Sequence, residues 1–491
     1  MALPLRAKIQ NQLCSFSHGA LASIITCSIA AASPEYGGAR ICMYFLYSLI
    51  TVAGMILLTP YVLLIKIRRK KYLPNLRERL GLRFPAELAE NGPSPSRAIW
   101  LHAVSVGEVL AAVPFARCLK QRYPGRPLVI STTTATGQAL ARERLNFADA
   151  VFYFPFDWNG PVRRAFRAVQ PGVIVILETE IWPNLLREAR KAGVPVAIVN
   201  GRLSDRSFRG FSRAVRMSGG LLGGFFRRTL NDSTLYLVQT QQDAARLIAL
   251  GAEAARVSVT GSMKYDMPLP ESTSFVHWLR AELQRSQRGP VVVAGSVIAG
   301  EEKLVLEAFA PIREKWPQAL LVLAPRKPER FAAAADVITQ AGCRTIRRSE
   351  ISLDGASTGV LENAAQVRKS VLLLDTIGEL AATYSIADSV FIGGSLEPAG
   401  GHNPLEPAAF AKAPVFGRCM DNFREIAAAL LKARAAIQVE SAAQLSMAWT
   451  GLLEDTPRRE QMGLAAREIV ERNRGATQAT LDRLTAMIER Q

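Results

Sequence analysis

Short apolar runs recur along the chain from about residue 97, and they alternate with longer stretches in which apolar residues follow a helical period. Before residue 268 the runs occupy residues 98–101, 127–130, 151–154, 173–177, 196–199 and 235–238. Each run is apolar at consecutive positions rather than at alternate ones, as expected for strands that are covered on both faces. The pattern therefore predicts a parallel α/β sheet in this part of the chain.

The same pattern restarts after Pro290 and predicts a second sheet. Its runs occupy residues 291–294, 320–324, 371–374 and 389–392. We therefore predict an α/β protein with two doubly wound domains, residues 97–268 and 290–491, joined by a linker at 269–289. A chain of 491 residues agrees with two domains, because single hydrophobic cores stop growing well below that length. We expect the carboxyl ends of both sets of strands to face one cleft, where ligands bind.

A stretch without a charged residue runs from Met43 to Ile65, and a cluster of Lys and Arg follows it. At about 1.5 Å per residue, a helix of this length can cross a hydrocarbon core of about 30 Å. We predict a membrane helix over residues 43–67 and a basic interfacial segment over 68–96, with the rest of the chain cytoplasmic by the positive-inside rule. Pro60 fits a spanning helix and a helix lying in the interface equally well, so both alternatives stay open.

Residues 1–42 form an N-terminal extension that has two interpretations. Arg6 and Lys8 precede an apolar patch at 21–32, which resembles a secretory signal. A cleaved signal would place the domains outside the cell, against the charge bias after Ile65. The alternative is that the physiological chain starts at Met43 and that the extension is not essential.

The balance of charge narrows the possible partners. Lys and Arg exceed Asp and Glu by 18, which suits a nucleic acid, an anionic membrane surface or a phosphorylated substrate. Beyond the membrane flank the chain has no basic helix pattern with interleaved aromatic residues, so we expect no nucleic-acid partner. Six scattered Cys without C-x-x-C spacing argue against a disulfide framework and a Cys-based zinc site, and with four His we expect no metal site.

The candidate catalytic and binding residues of the first domain lie where its predicted strands end. Ser105, Gly107 and Glu108 follow the first strand and open the first helix, so Glu108 is either a general base or a first-turn carboxylate that stabilises the helix dipole. Glu178 and Glu180 end the fourth strand and contact substrate or anchor the loop. Arg202 and Lys264 follow later strands as possible clamps for phosphate or carboxylate, although solvated surface is the default interpretation for each.

The second domain carries glycine-rich loops. Residues 393–395 and 400–407 follow the strand at 389–392, and the glycines predict a close approach of the backbone to a phosphate. Pro404 fits the first position of a helix, and Glu406 in its first turn can accept hydrogen bonds from ribose hydroxyls. The segments 295–302, 324–331 and 375–380 follow the other strands of this sheet and converge on the same crevice. We find no P-loop, D-x-D or G-x-S-x-G motif, which disfavours kinases, metal-dependent transferases and esterases.

These segments resemble one known family. The matching segments are 101–108, 131–137, 155–157, 178–184, 200–204, 261–266, 324–331, 375–380 and 400–407. They are similar, in the same order, to the 3-deoxy-D-manno-octulosonic acid (Kdo) transferases of lipopolysaccharide synthesis. The resemblance implies a GT-B glycosyltransferase at the inner membrane that moves Kdo, with inversion, from cytidine monophosphate (CMP)-Kdo to a lipid A precursor of the lipid IVA type. It implies no cofactor, and it adds anionic phospholipids as partners.

The resemblance also assigns roles by position. It makes Glu108 the general base, in place of a helix-dipole role. It assigns the CMP site to Pro325, Arg326, Ile377, Gly378, Glu379, Asn403, Pro404, Leu405 and Glu406. Possible acceptor or phosphate contacts are Ser105, Gly107, Glu178, Glu180, Arg202 and Lys264. The chain departs from the family at residues 295–298, which read Gly-Ser-Val-Ile where the family usually has Gly-Ser-Thr followed by charged or His residues.

Two rival functions remain at this point. One is a lipid-linked transferase of the same fold that uses a UDP-sugar, such as a lipid A disaccharide synthase, which competition between CMP and UDP would distinguish. The other is a membrane-anchored nucleotide-binding module that senses rather than catalyses, for which a Glu108→Gln variant would keep all function.

Overall fold

The computed structural model describes residues 39–68, 75–90, 96–353, 359–361 and 369–490. The described chain divides into two compact units. The first combines the residues up to Met267 with those from Arg474 onward, and the second runs from Pro268 to Asn473. The predicted extension over residues 1–42 lies outside the described residues except for its last four positions, which begin a helix. The predicted basic segment over 68–96 is described only in part.

In the described part of the first unit, seven parallel strands form one sheet in the order β3-β2-β1-β4-β5-β6-β7. The strands are β1 (Ala98–His102), β2 (Leu128–Thr132), β3 (Ala150–Tyr153), β4 (Pro171–Leu177), β5 (Val196–Gly201), β6 (Leu235–Val238) and β7 (Val257–Val259). All six predicted strands are confirmed. β7 was not predicted, because a strand of three residues with a partly exposed Val-Ser-Val pattern gives almost no periodic signal.

Helices connect these strands and precede them. They are α1 (Ala39–Arg68), α2 (Leu76–Arg79), α3 (Ala86–Glu90), α4 (Val106–Arg122), α5 (Ala135–Arg144), α6 (Asn159–Val169), α7 (Pro183–Lys191), α8 (Asp205–Met217), α9 (Leu221–Leu230) and α10 (Gln241–Ala249). The strand side chains alternate between two cores, as the strand period requires. Trp100 and Ile174 face one core and Leu101 and Val175 face the other, which explains why the strands are apolar at consecutive positions.

The second unit repeats this architecture. Its described strands form a parallel sheet in the order β10-β11-β9-β8-β12-β13-β14. The strands are β8 (Val291–Val297), β9 (Leu320–Pro325), β10 (Arg344–Arg347), β11 (Ser370–Leu373), β12 (Ser389–Ile392), β13 (Pro414–Gly417) and β14 (Ile437–Val439). The four predicted strands are confirmed. Three strands were missed: β10 begins and ends with Arg, β13 has two strongly apolar residues between Pro and Gly, and β14 has three residues with Gln in the middle.

The helices of the second unit and the C-terminal helix complete the described chain. They are α11 (Ser274–Ser286), α12 (Glu301–Lys315), α13 (Phe331–Gln340), α14 (Leu380–Thr383), α15 (Leu405–Ala409), α16 (Arg424–Lys432), α17 (Ala442–Glu454), α18 (Thr456–Arg472) and α19 (Ala476–Ile488). Two doubly wound parallel domains are thus confirmed, and each has a point beside its first strand where the strand order reverses.

The structure corrects the predicted domain boundaries in two places. The second domain was predicted to extend to residue 491, but α19 packs on the first sheet and buries Leu481, Leu484 and Ile488 in its core. Asp266 holds the start of this helix by accepting hydrogen bonds from the backbone N–H groups of Gly475 (2.6 Å) and Thr477. The apolar stripe of an amphipathic helix predicts that it is buried, but it does not tell which sheet buries it.

The predicted linker at 269–289 is the second correction. Most of it forms α11, which buries Phe275 and Leu279 and belongs to the second unit. Its Glu282 carboxylate accepts the backbone N–H of Leu361 at 3.1 Å and pairs with Arg285. The prolines that suggested a hinge lie just before this helix.

The N-terminal helix α1 docks on the first unit through polar side chains. The Tyr44 hydroxyl is buried and donates to Asp232 Oδ2 at 2.7 Å, and Asn184 Nδ2 donates to Ser48 Oγ at 3.0 Å. One turn further on, Trp158 Nε1 donates to Thr51 Oγ1 at 3.2 Å. Within the described residues, no helix combines the length and the apolar character that crossing a membrane requires, so the predicted membrane helix over 43–67 is not confirmed.

Two helical glycines provide a test of the packing in the second unit. A Cβ at Gly463 in α18 would lie 1.9 Å from the carbonyl oxygen of Ala411, whereas a Cβ at Gly451 in α17 would meet no atom within 4 Å. We expect Gly463→Ala to lower the free energy of unfolding by about 1–3 kcal/mol, because backbone must move. We expect the control Gly451→Ala to leave it unchanged or raise it by up to about 1 kcal/mol. Urea unfolding of both variants checks this, and equal effects would contradict the described contact.

Candidate functional site

The candidate residues of the first unit gather at the carboxyl edge of its sheet. The strand order reverses between β1 and β4, where the loop after each strand diverges to an opposite face and leaves a crevice. Glu108 lies in the first turn of α4, directly after β1, and Glu178 and Glu180 follow β4. The arrangement therefore brings Glu108 close to two carboxylates that lie about 70 positions further along the sequence.

Glu108 is buried against its own loop. Its Oε2 accepts the backbone N–H of Val104 at 2.7 Å, and its Oε1 accepts the Ser105 hydroxyl at 2.8 Å. Ser105 is the residue that precedes the first turn of α4, and neither bond involves a backbone N–H group of that helix. Its place in the first turn of α4 is the one that the helix-dipole interpretation requires, and that role stays a prediction.

The electrostatic surroundings of Glu108 differ from those of an ordinary carboxylate in the first turn of a helix. Burial, together with the negative charges of Glu178 and Glu180, raises the pKa of Glu108 to about 8. The hydrogen bonds from Val104 and Ser105 oppose the shift but do not cancel it. A carboxyl group that exchanges its proton near neutral pH has the property that a general base needs.

The loops after β4 and β5 are tied to each other by Thr179, which sequence reasoning missed. Its hydroxyl donates to the carbonyl oxygen of Arg202 at 2.6 Å and accepts the backbone N–H of Arg202 at 2.7 Å. The Glu178 backbone has a φ of +57°, and its carboxylate pairs with Lys264 Nζ at 3.4 Å. The structure therefore brings Glu178, Arg202 and Lys264 to one part of the edge, as predicted.

An aromatic group lies under the same edge and was also missed. The His102 ring stacks on Phe154 with 3.9 Å between ring centroids, and Trp182 lies 5.0 Å from Phe154. His102 Nδ1 is 2.9 Å from Ser131 Oγ, which holds the ring in place. The sequence signal was present, since His102 and Trp182 each follow a buried strand, but aromatic residues in such positions are more often part of the core.

In the second unit the structure brings Arg326, His402, Asn403 and Glu406 together. Burial raises the pKa of Glu406 to about 7, and this shift is opposed by a hydrogen bond from Asn403 and by the charge of Arg326. Burial and the charge of Arg326 lower the pKa of His402 to about 4. Asn403 Nδ2 lies 3.4 Å from Glu406 Oε1, and Asn403 Oδ1 accepts the backbone N–H of Leu405 at 3.1 Å.

Other predicted residues of the CMP site lie after β9 and β11. Pro325 ends β9, and the backbone N–H of Arg326 donates to the carbonyl oxygen of Val297 at 2.9 Å. After β11, Ile377 is largely exposed and Gly378 has a φ of +94°. The Glu379 carboxylate accepts hydrogen bonds from Arg348 Nη2 at 2.9 Å and from the Thr376 hydroxyl, so its oxygens are engaged within the chain.

The structure gives the glycine-rich loops contacts that the sequence did not indicate. The glycines at residues 393–395 were predicted to let the backbone approach a phosphate, and the backbone N–H of Gly393 donates to Gly295 O at 2.8 Å. Those of Gly394 and Ser395 donate to the Glu301 carboxylate at 2.6 and 2.9 Å. Pro404 was predicted to be the first helical residue, but it precedes α15, which starts at Leu405. A carboxylate from the chain thus occupies the place that was predicted for phosphate.

Comparison with known proteins decides the family. Residues 74–267 match the family model described as 3-deoxy-D-manno-octulosonic-acid transferase (kdotransferase). A 3-deoxy-D-manno-octulosonic acid transferase of Haemophilus influenzae is 34% identical over 451 residues, which cover 91% of this chain and 99% of the relative. The chain belongs to the Kdo transferase family. It is therefore a glycosyltransferase, and the resemblance noted in its motifs is confirmed.

A second relative agrees with this assignment to the Kdo transferases. That of Bordetella pertussis is 36% identical over 419 residues, which cover 83% of this chain and 89% of the relative. Among solved structures, the C-terminal CMP-Kdo binding domain of WaaA from Acinetobacter baumannii aligns with 40% of this chain and 98% of its own, at 28% identity and a TM-score of 0.35. Within the described residues of this Kdo transferase family member, no three His, Cys, Asp or Glu side chains cluster as a metal site would require.

The raised pKa of Glu108 predicts a pH-dependent stability. Between about pH 4.5 and pH 8 the carboxyl group is ionised in the unfolded chain but protonated in the folded one, so the folded state binds more protons and loses stability as the pH rises. The Glu108→Gln variant cannot titrate at this position. As the pH rises through this window, we expect its free energy of unfolding to increase relative to that of the wild type by up to about 1.4 kcal/mol per pH unit. Urea unfolding at several pH values measures the difference. Parallel stability curves for the two proteins would contradict the shift.

Proposed function

We propose that this Kdo transferase moves Kdo from CMP-Kdo to a lipid A precursor of the lipid IVA type in lipopolysaccharide synthesis, with inversion at the anomeric carbon. The observation that carries the proposal is the buried Glu108, whose pKa is raised to about 8 beside two further carboxylates. A base that is partly ionised near neutral pH can accept the proton of a sugar hydroxyl as that hydroxyl reacts.

Glu108 is the general base in this mechanism. The acceptor hydroxyl oxygen forms a bond to the anomeric carbon of Kdo, and the bond from that carbon to the phosphate oxygen breaks, with its electron pair leaving on CMP. The hydroxyl proton moves to Glu108. Ser105 and the backbone of Val104 hold the carboxylate in place, and Gly107 beside it leaves space, since a Cβ there would meet no atom of the described chain within 4 Å.

Positive charges on the same edge suit an anionic acceptor. Lys264 pairs with Glu178 at 3.4 Å, and its position is tied to that of Arg202 through the contacts of Glu178 and Thr179. We propose that Arg202 and Lys264 contact phosphate or carboxylate groups of the acceptor, and that Glu178 and Glu180 keep the pKa of Glu108 high. Charge-assisted contacts of this kind are stronger than neutral hydrogen bonds.

The donor site that we propose is built on Arg326, Asn403 and Glu406. Arg326 would meet the charge of the departing phosphate, which develops as the bond to the anomeric carbon breaks. Glu406, whose carboxyl is held near Asn403, would accept hydrogen bonds from the ribose. Pro325, Pro404 and Leu405 shape the backbone around these side chains. Ile377 and Gly378 lie on a more exposed loop and would contact CMP from outside, while Glu379 holds that loop through Arg348.

We further propose that the chain acts at the cytoplasmic face of the inner membrane. While Tyr44, Ser48 and Thr51 bond to the domain, the opposite side of α1 exposes Phe45 (63%), Leu49 (52%), Ile56 (65%) and Leu57 (78%). Such an apolar stripe on a docked helix is typical of insertion into a lipid surface, and the basic residues that follow in the sequence suit anionic phospholipids.

Transfer activity tests the base directly. We expect Glu108→Gln to lower kcat by about 10²–10⁴-fold, because the amide cannot accept the proton, and we expect kcat of the wild type to rise with pH toward pH 8. The assay measures Kdo transfer from CMP-Kdo to a tetra-acylated, bis-phosphorylated lipid A precursor, with chelator present. The control is Glu143→Gln, an exposed carboxylate of the same unit.

The outcomes of this assay are distinct. Loss of transfer in Glu108→Gln with full activity in Glu143→Gln supports the base, and inhibition of the wild type by CMP rather than UDP supports the donor. A folded wild type that makes no product from CMP-Kdo would refute the proposed function. Full activity in Glu108→Gln would refute its role as base and leave the family assignment intact.

Flotation with vesicles tests the apolar side of α1. We expect the double substitution Leu49→Ser and Ile56→Ser to weaken binding to vesicles that contain phosphatidylglycerol by at least about tenfold, because each side chain loses more than 1 kcal/mol of burial. The control Leu464→Ser removes an equally exposed apolar side chain from α18. If the double variant floats like the wild type and carbonate does not remove it from the vesicles, a helix lying in the interface is refuted and a helix that spans the membrane is favoured.

A further inference from the structure

The strand order of the second sheet reverses between β8 and β12, and a glutamate lies at this reversal. Glu301 is the first residue of α12, which follows β8, and the structure leaves it no exposed surface. The proposed function uses no group at this position. Burying a carboxylate without partners is costly, so the contacts that compensate for it indicate what the residue does.

The described residues give the Glu301 carboxylate five hydrogen bonds, and all of them come from backbone N–H groups. Oε2 accepts those of Gly394 (2.6 Å) and Ile298 (3.2 Å). Oε1 accepts those of Ser395 (2.9 Å), Leu396 (2.9 Å) and Glu397 (3.4 Å). Four consecutive N–H groups that point to one anion form the kind of concave site that binds phosphate in many proteins. Here the anion is supplied by the chain itself.

The loop that Glu301 holds is connected to the turn at residues 400–403. The backbone N–H of Gly401 donates to the carbonyl oxygen of Gly394 at 2.7 Å. The His402 ring packs on Gly394 so closely that a Cβ there would lie 2.9 Å from it. This turn leads directly into Asn403, whose side chain bonds to Leu405 and Glu406. The position of the proposed donor residues therefore depends on the loop after β12.

The other side of the same loop is fixed as well. Ser395 Oγ accepts the backbone N–H of Gly417 at 2.8 Å, and its carbonyl oxygen accepts that of Cys419 at 2.9 Å. A Cβ at Gly417 would lie 2.1 Å from the Ser395 carbonyl oxygen, so β13 approaches the loop closely. The loop is thus held between β13 and Glu301, and removal of the carboxylate frees one side of it.

We propose that Glu301 is a positioning residue for the donor: its carboxylate occupies the anion site after β12 and holds the turn at residues 400–403 in the shape that binds the nucleotide. The inference rests on the proposed function of this second unit in CMP binding. The phosphate of the donor is then bound by Arg326 and not by the backbone of residues 393–395. Glu301 itself does not touch the substrate.

Three variants and one control test this proposal. Glu301→Gln keeps the shape but turns an amide NH₂ toward N–H donors, Glu301→Asp keeps the charge on a shorter side chain, and Glu301→Ala empties the site. The control Glu282→Gln removes another buried carboxylate of the same unit that accepts a backbone N–H and pairs with Arg285. CMP binding is measured by titration calorimetry, KM and kcat by transfer from CMP-Kdo, and folding by circular dichroism.

We expect Glu301→Gln and Glu301→Ala to weaken CMP binding by at least about tenfold, which corresponds to the loss of one charge-assisted hydrogen bond or more. We expect KM for CMP-Kdo to rise while KM for the acceptor is unchanged, and Glu301→Asp to retain most of the binding. Formate should restore CMP binding to Glu301→Ala, because it can fill the emptied anion site, whereas chloride at equal ionic strength should not. Glu282→Gln should bind CMP like the wild type.

Several results would overturn the proposal. A folded Glu301→Gln variant that binds CMP as the wild type does would refute this inference but not the proposed function. A Glu301→Ala variant that binds CMP more tightly would do the same, because the donor phosphate would then bind at this site. Weakened binding that formate does not restore, together with an equal rise in both KM values, would show a general structural role instead. A wild type that does not bind CMP would overturn the proposed donor and this inference with it.

Discussion

Each sheet buries a glutamate where its strand order reverses, and the surrounding loops depend on how that carboxylate is satisfied. Glu108 follows β1 and Glu301 follows β8, each in the first turn of the helix after the strand. The positions are alike, but the partners differ. Glu301 receives five backbone N–H groups, whereas Glu108 receives one N–H and one hydroxyl and faces two other carboxylates. The same place in the fold thus holds a carboxylate bound entirely by backbone N–H groups in one domain and a carboxyl group beside two other carboxylates in the other.

The N-terminal helix is connected through polar contacts to the loops at the carboxyl edge of the first sheet. Buried Asp157 accepts the backbone N–H groups of Asn184 (3.0 Å) and Leu185 (2.8 Å), at the start of α7. Asn184 in turn donates to Ser48 of α1, and the loop that carries Glu178 and Trp182 ends at this point. A membrane attachment through α1 would therefore hold the loops around Glu108 at a fixed distance from the lipid surface. An acceptor that stays in the membrane requires such a fixed distance, whereas a soluble acceptor does not.

Much of the fold could be predicted, and the omissions have a common reason. Strands covered on both faces are apolar at every position, so each of the longer strands produced a clear signal. The missed strands β7 and β10 lie at sheet edges and contain polar residues, so their pairing depends on neighbours rather than on their own sequence. The helix α19 was assigned to the wrong domain because its apolar face fits either sheet in principle.

The sequence by itself determined the two parallel α/β domains, the family and the set of polar residues at the strand ends. Its pattern suffices for these because burial and strand direction follow from local hydrophobicity and chain order. Only the tertiary structure decided what surrounds each carboxylate: Glu301 fills the glycine loop, Glu379 pairs with Arg348, and Glu108 lies beside two other carboxylates and has a raised pKa. These differences depend on the distances between residues that are far apart in the chain, and the chemistry of each residue alone does not give those distances.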